Sequence, residues 1–429
     1  MSKPVVYVVH CVDTEGPLEE SLEATFERLR KERNVDLPPS LQTLEALQNK
    51  EIDLGGQEND VAEYLSPSRL SYLSTWQDLE KMVLQATDPA YRKAHASPDG
   101  SLYTFSWFII DIVGYKDNPR RKALGFHTVW DHYHRILKDR FYNDVIGWHF
   151  HTVPPTHHAL HYNTSWSNND FHEQVLARKV IEKKWFPVLF RSGGVIERND
   201  ISHWLERFIP FDYSNQNNKY AEFSAGSQSD WRHAPMTWGA YNPCFYDYRK
   251  VGNMKRSIFR CLDIKTPGCR LDDEEVKIAF HQARETGVAV LAYTNHDRRD
   301  IRPEIEHMHR LITKISPDYP DVEWRYVNAL EAAKLYLNQQ EKLPLSLSLK
   351  VENEVLIASS NQPVFSGDVF LAVEEEGGLF YRDNMTMESS TSWGYSSPRW
   401  STIQRVGVAA VTENGQSVCE VINLEQGRG

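Results

Sequence analysis

Cysteine is scarce and unpaired in this sequence. Cys11, Cys244, Cys261, Cys269 and Cys419 are the five in 429 residues, no two form a C-x-x-C pair, and the count is odd. That pattern argues against a disulfide framework and for free thiols in a reducing compartment. Long apolar runs are missing as well. No stretch approaches the length of a membrane span. The run Val5–Val9 is too short for the apolar region of a signal peptide and is followed by no small-residue cleavage site. The expectation is a cytoplasmic chain with no membrane span. There is no block of Lys and Arg, and the formal net charge is −11. That is the wrong sign for a partner of the nucleic-acid backbone or of an anionic membrane surface. Internal repeats and low-complexity tracts are also absent, which removes repeat architectures from consideration. The sequence carries no signal of oligomeric state.

What is present is a globular composition, 41% hydrophobic and 25% charged. The length suits a large domain plus a smaller one. Aromatic residues are plentiful, with 12 Trp, 20 Tyr and 18 Phe. Most such rings fill core. Some are suited to line a cleft, because sugar rings present flat C–H faces that stack on aromatics.

Val5-Val6-Tyr7-Val8-Val9 reads as a strand buried on both faces, as in a parallel sheet. Further strands are expected over 103–113, 144–151, 187–191, 288–293 and 324–327. Helices are expected over 18–34, 120–142, 168–184, 199–207, 272–286, 303–315 and 329–337. This alternation signals a parallel α/β sheet or barrel. Residues 35–100 are polar and helical with little core signal and read as an insertion over one end of the domain. From about Leu343 the pattern changes to short alternating segments separated by Asn, Gly and Ser turns. The expected organisation is a main domain over 1–342 and a small, separable antiparallel β domain over 343–429.

Ionisable residues collect where the expected strands end, which is where α/β proteins place chemistry. Asp13 and Glu15 lie two positions apart, so strand geometry sends both carboxylates to one face. A helix cap explains such a pair equally well. His149 and His151 also share a face, a known way to hold a divalent ion. One carboxylate with two histidines makes the facial set used for Zn, Fe or Mn. Arg191 precedes Ser192-Gly193-Gly194, where glycine allows close backbone approach, and an Arg near Asp13 would keep it ionised. His296 lies between Asn295 and Asp297 and suits a general acid whose pKa a carboxylate raises. The cluster His157, His158 and His161 reads mainly as loop.

The order of these motifs resembles the polysaccharide deacetylase, or NodB-homology, superfamily (carbohydrate esterase family 4-like) over about residues 4–340. Asp13-Thr14-Glu15-Gly16 is similar to its first motif, and Tyr103–Gly114, with Ser106-Trp107-Phe108, to its second core strand. Gly147-Trp148-His149-Phe150-His151-Thr152 is similar to its histidine motif. Arg191-Ser192-Gly193-Gly194 and Asp212-Tyr213-Ser214 resemble its arginine motif and the triplet after it, and Asn295-His296-Asp297 resembles its last motif. There are departures. Thr14 separates two acids that are adjacent aspartates in the family, and the second histidine stands at +2 instead of +4. These forms resemble a branch found in surface-polysaccharide and lipopolysaccharide gene clusters. The resemblance implies a distorted seven-stranded (β/α) barrel and a divalent metal, zinc, held by Glu15, His149 and His151. It implies Asp13 as base, Arg191 as its partner, His296 as acid, and removal of an N-acetyl group from a carbohydrate substrate. Which of Asp13 and Glu15 ligates the metal stays open at this point. So do two other functions on the same fold, a non-catalytic carbohydrate-binding protein and a hydrolase of a non-sugar amide or imide.

Overall fold

The first strand, β1 (Val5–Thr14), sets the architecture. Its residues alternate between two buried clusters, Tyr7, Val9 and Cys11 in one and Val6, Val8 and Val12 in the other. A period of two with both faces buried is the mark of a strand inside an α/β layer. A computed structural model describes residues 3–159, 165–219, 230–264, 271–339 and 343–424 of the chain. In it β1 is followed by β2 (Ser106–Ile110), β3 (Val145–Phe150), β4 (Leu189–Ser192), β5 (Phe211–Asn215), β6 (Ser257–Asp263) and β7 (Val288–His296). Each pairs in parallel with the next, and β7 pairs with both β6 and β1, so seven parallel strands close into a barrel.

The barrel is distorted at β1. An extra strand, β8 (Glu323–Tyr326), pairs with Val5–Val8, whereas β2 pairs only with Cys11–Thr14. Two strands thus share one edge of β1, one along each half.

Around the barrel run α1 (Leu22–Arg33), α2 (Thr128–Leu137), α3 (Phe171–Lys183), α4 (Asn199–Phe208), α5 (Asp273–Thr286) and α6 (Arg302–Ile315). The last helix of the series, α7 (Ala329–Tyr336), bonds to residues of the barrel itself. Ala329 accepts from the Tyr213 hydroxyl and donates its N–H to Ser106 at the start of β2. With α7 against the strand starts, the opposite, C-terminal ends of the strands are left for chemistry.

The expected insertion over 35–100 is helical. Leu47, Val61, Tyr64 and Leu65 form a small core with Phe26 and Leu29 of α1, and Leu79, Met82, Val83 and Ala86 join the core outside the barrel. The strands β5 and β6 were both absent from the sequence expectations, although Asp212-Tyr213-Ser214 of β5 was noted as a motif. The helix expected over 120–142 begins only at Thr128, and the strand expected over 103–113 spans Ser106–Ile110. No described helix is long and apolar enough to cross a membrane.

The C-terminal region forms two four-stranded antiparallel sheets. Leu356, Ala358, Leu371, Val373, Trp393, Val406 and Val408 fill the space between them. The other face of the second sheet, with Phe370, Ala372 and Ala409, belongs to the same cluster as Val180 and Ile181 of α3. The contact is close: a Cβ on Gly407 would fall 2.8 Å from Val180 Cγ1. This sandwich therefore has its own core and is also a layer packed on the barrel domain.

Candidate metal centre

The ends of β1, β3, β4 and β7 bring the six residues singled out in the sequence to one place. Asp13 ends the inward face of β1 and is buried. Arg191, on β4, grips both of its oxygens, Nε to Oδ1 at 2.7 Å and Nη2 to Oδ2 at 3.0 Å. Burial alone would raise the Asp13 carboxyl, but the Arg191 guanidinium, with His149, holds it at about 2. The same arginine donates to the Tyr213 carbonyl, so its fork is fixed at both ends.

His149 and His151 leave β3 on the same side. The His149 Nδ1 lies 3.0 Å from the Arg191 carbonyl. A carbonyl only accepts, so Nδ1 carries the proton and the Nε2 lone pair is left facing the site. That Nε2 is 3.1 Å from His151 Nε2, which is 3.1 Å from Glu15 Oε1; the third side, His149 Nε2 to Glu15 Oε1, is 3.9 Å. Glu15 is buried just past the end of β1. Burial pushes the His151 imidazole down to about 4, against the pull of Glu15, so it is neutral at ordinary pH. Burial opposes ionisation of Glu15, yet Lys122 and Arg298 hold its carboxyl well below the usual range.

Three potential ligand atoms lie within 4.8 Å of one another, close enough to share one cation. An ion about 2.0–2.2 Å from each tetrahedral ligand sets those ligands ~3.4 Å apart. Separations of 3.1, 3.1 and 3.9 Å bracket that value. Glu15, His149 and His151 can therefore hold a metal ion. Asp13 is the less suited carboxylate, since Arg191 occupies both of its oxygens.

Gly193 makes this geometry possible. A Cβ there would fall 2.3 Å from His151 Cδ2 and 2.7 Å from its Cα. Gly193 thus makes room for His151, as close approach demands.

His296 ends β7 with Nε2 at 4.0 Å from Asp13 Oδ2 and 3.8 Å from Glu15 Oε1. Its neighbours in the triplet turn the other way, as alternate residues on a strand do. Asn295 accepts from His10 at 2.9 Å. Asp297 accepts from the N–H groups of Glu15 and Gly16 and from the Tyr133 hydroxyl, at 2.8, 3.0 and 2.8 Å. Burial raises the Asp297 carboxyl to about 7 despite these donors. The expected pairing of Asp297 with His296 is thus not made. The carboxylate nearest His296 Nδ1 is Asp263, at 3.9 Å on the end of β6. Burial and Arg298 together push the His296 imidazole well below its usual range.

Sequence reasoning missed Lys122, Arg298 and Asp263. Arg298 stands two residues past His296, a signal that was there to read; Lys122 and Asp263 lie in segments assigned otherwise or passed over. Of the loop histidines, His157 donates to the Gly114 carbonyl and His158 lies 3.9 Å from Glu27, both away from the triad. His161 and Cys269 lie outside the described residues. Cys11, Cys261 and Cys419 are buried free thiols, and Cys244 is a half-buried one.

No protein-family model matches the chain, and no curated protein matches it.

Proposed function

We propose that this protein is a metal-dependent hydrolase that removes an N-acetyl group from a carbohydrate, of the polysaccharide-deacetylase type. The observation that carries the reading is the convergence of Glu15, His149 and His151 beside an Arg191-bound Asp13 and the His296 imidazole. Two histidines and one carboxylate suit zinc, and zinc is the ion we assign. When bound, such an ion polarises a carbonyl and acidifies water.

The chain's own groups then have distinct tasks. Asp13, fixed by Arg191, takes a proton from the attacking water. Arg191 keeps that carboxylate oriented and ionised until it does. His296 hands a proton to the departing amine, with Asp263 behind its other nitrogen. Asp297 and Tyr133 hold the turn that carries Glu15. By the resemblance of the motifs, we take the substrate to be a surface-polysaccharide or lipopolysaccharide precursor.

One observation favours a second reading. A general acid works best with a pKa near the working pH, and His296 is held well below it. A non-catalytic carbohydrate-binding protein would carry the same ligands without needing that proton. Acetate release from N-acetylated nucleotide sugars and oligosaccharides separates the two. Metal-dependent release from one of them supports the hydrolase; sugar binding with no release from any supports the second reading.

A further inference from the structure

One edge of this site concentrates positive charge in a chain whose net charge is −11. Lys122 and Arg298 both approach Glu15 Oε2, at 2.7 and 3.3 Å. Arg28 and Arg120 both approach Glu20 Oε1, at 2.6 and 2.9 Å. Four cations thus converge on two carboxylates. Arg299 and Arg120 both lie over the Tyr72 ring, each guanidinium carbon 5.5 Å from its centroid. The Arg299 Nε is buried with no hydrogen-bond partner.

This wall is part of the fold and not a chance meeting of long surface side chains. Its pieces come from the segments after β1, β2 and β7 and from the insertion. Backbone bonds lace them together: Leu18 N to Leu73 O at 2.9 Å, Leu73 N to Arg298 O at 2.8 Å, and Glu19 N to Arg120 O at 3.2 Å. Burying cations side by side is costly. Burial and then Arg298 disfavour the charged forms of Arg120 and Arg299.

Solvent reaches the site beside the same wall. The side chains of His296, His151 and Arg298 keep 23%, 18% and 17% of their exposure, against 3% or less for Asp13, Glu15 and His149. Arg298 and Arg299 follow His296 in the turn after β7, and Arg298 reaches Glu15 Oε2 at 3.3 Å, on the side of the proposed leaving group.

We propose that the substrate carries an anionic group, a carboxylate or a phosphate, beside the acyl amide, and that Arg298 and Arg299 hold it. The proposal rests on the hydrolase reading above. A guanidinium suits either anion, since its planar fork offers paired N–H donors.

The test uses the metal-loaded full chain with three sugars: N-acetylglucosamine, N-acetylglucosamine 1-phosphate and N-acetylglucosaminuronic acid. Acetate release gives kcat/KM, and calorimetry gives binding. One anionic sugar should exceed the neutral one by about 10- to 100-fold, the range of a charge-assisted hydrogen bond. The phosphate and carboxylate arms tell which anion is meant. In Arg299→Gln the anionic-to-neutral ratio should collapse through KM, and in Arg299→Lys it should recover in part. Raising salt should shrink the ratio. Equal kcat/KM for neutral and anionic sugars, or an unchanged ratio in Arg299→Gln, overturns the proposal and leaves the hydrolase reading standing. If Arg299→Gln does not fold, the wild-type ratio alone decides. If no sugar releases acetate, the hydrolase reading fails and calorimetry decides: tighter binding of an anionic sugar supports the site, and equal binding overturns it.

Discussion

A single methyl group at position 193 should cost the protein its metal. An ideal Cβ there lies 2.3 Å from His151 Cδ2, 2.5 Å from Cγ and 2.7 Å from Cα. Carbon atoms in contact rest about 3.5–4.0 Å apart, so roughly 1.2 Å must open at the ring and about 0.8 Å at the backbone. Turning the ring relieves only the first two contacts. The third requires one loop to move, and His151 Nε2 moves with it. Metal–ligand distances tolerate only about 0.2 Å, so this ligand should be lost. Gly193→Ala should raise the metal Kd by at least about 100-fold, beyond what an outer-shell change costs. The metal-free protein should lose about 1–3 kcal/mol, as an overpacked site does. Competition with a chromophoric chelator measures the first quantity, and melting in excess chelator the second. In a His151→Ala background the same change should add little further loss of affinity, because the ligand is already gone. Wild-type metal affinity in Gly193→Ala would refute the placement of His151 in the centre.

Three other expectations follow from the same geometry. Glu15→Gln should weaken metal binding, whereas Asp13→Asn should keep the metal and lose about 10²–10⁴-fold in kcat; metal lost in Asp13→Asn and kept in Glu15→Gln would reverse the two roles. His172 is buried among Phe150, Trp166 and Trp204, and that burial lowers its pKa from 6.5 to about 4. The fold therefore favours the neutral ring, and its contribution is complete above pH 6.5 and lost as pH falls through 4, up to about 3 kcal/mol. His172→Phe should move the acid-unfolding midpoint to lower pH, and an unmoved midpoint counts against this assignment. Removing residues 343–429 would uncover Val180, Ile181, Phe186 and Phe208, which pack with Phe370 and Ala372. The truncated protein should aggregate on size-exclusion chromatography, and a well-behaved monomer would show the sandwich to be dispensable.

Much of this site is readable in the chain because apolar runs stop abruptly at ionisable residues. β1, His149-x-His151 and Arg191-Ser192-Gly193-Gly194 are of that kind, and local periodicity suffices to find them. β6 is different. Ser257-Ile258-Phe259-Arg260-Cys261-Leu262-Asp263 carries an arginine in mid-strand, which breaks the apolar pattern. The charge is buried because Glu275 of α5 meets it with two bonds of 2.7 Å, a partner that sequence spacing does not announce. That strand and Asp263 were missed together for that reason. Lys122 was hidden by a helical pattern that in the fold starts six residues later, at Thr128; it reaches Glu15 across 107 positions. Asp297 illustrates a simpler point. Adjacency to His296 suggested a pair, but successive residues of a strand face opposite ways, and Asp297 secures the turn at Glu15 instead. Asp13 and Glu15 do share a neighbourhood, as their spacing implied. Only the arginine 178 positions away decides which of them is left for a metal.

The central claim is that Glu15, His149 and His151 form one metal site. Elemental analysis of the purified wild type, of His149→Ala with His151→Ala, and of His157→Ala with His158→Ala tests it most directly. The account predicts about one divalent ion per chain, zinc, in the wild type and in the loop double mutant, and none in His149→Ala with His151→Ala. Equal metal in all three proteins would contradict it.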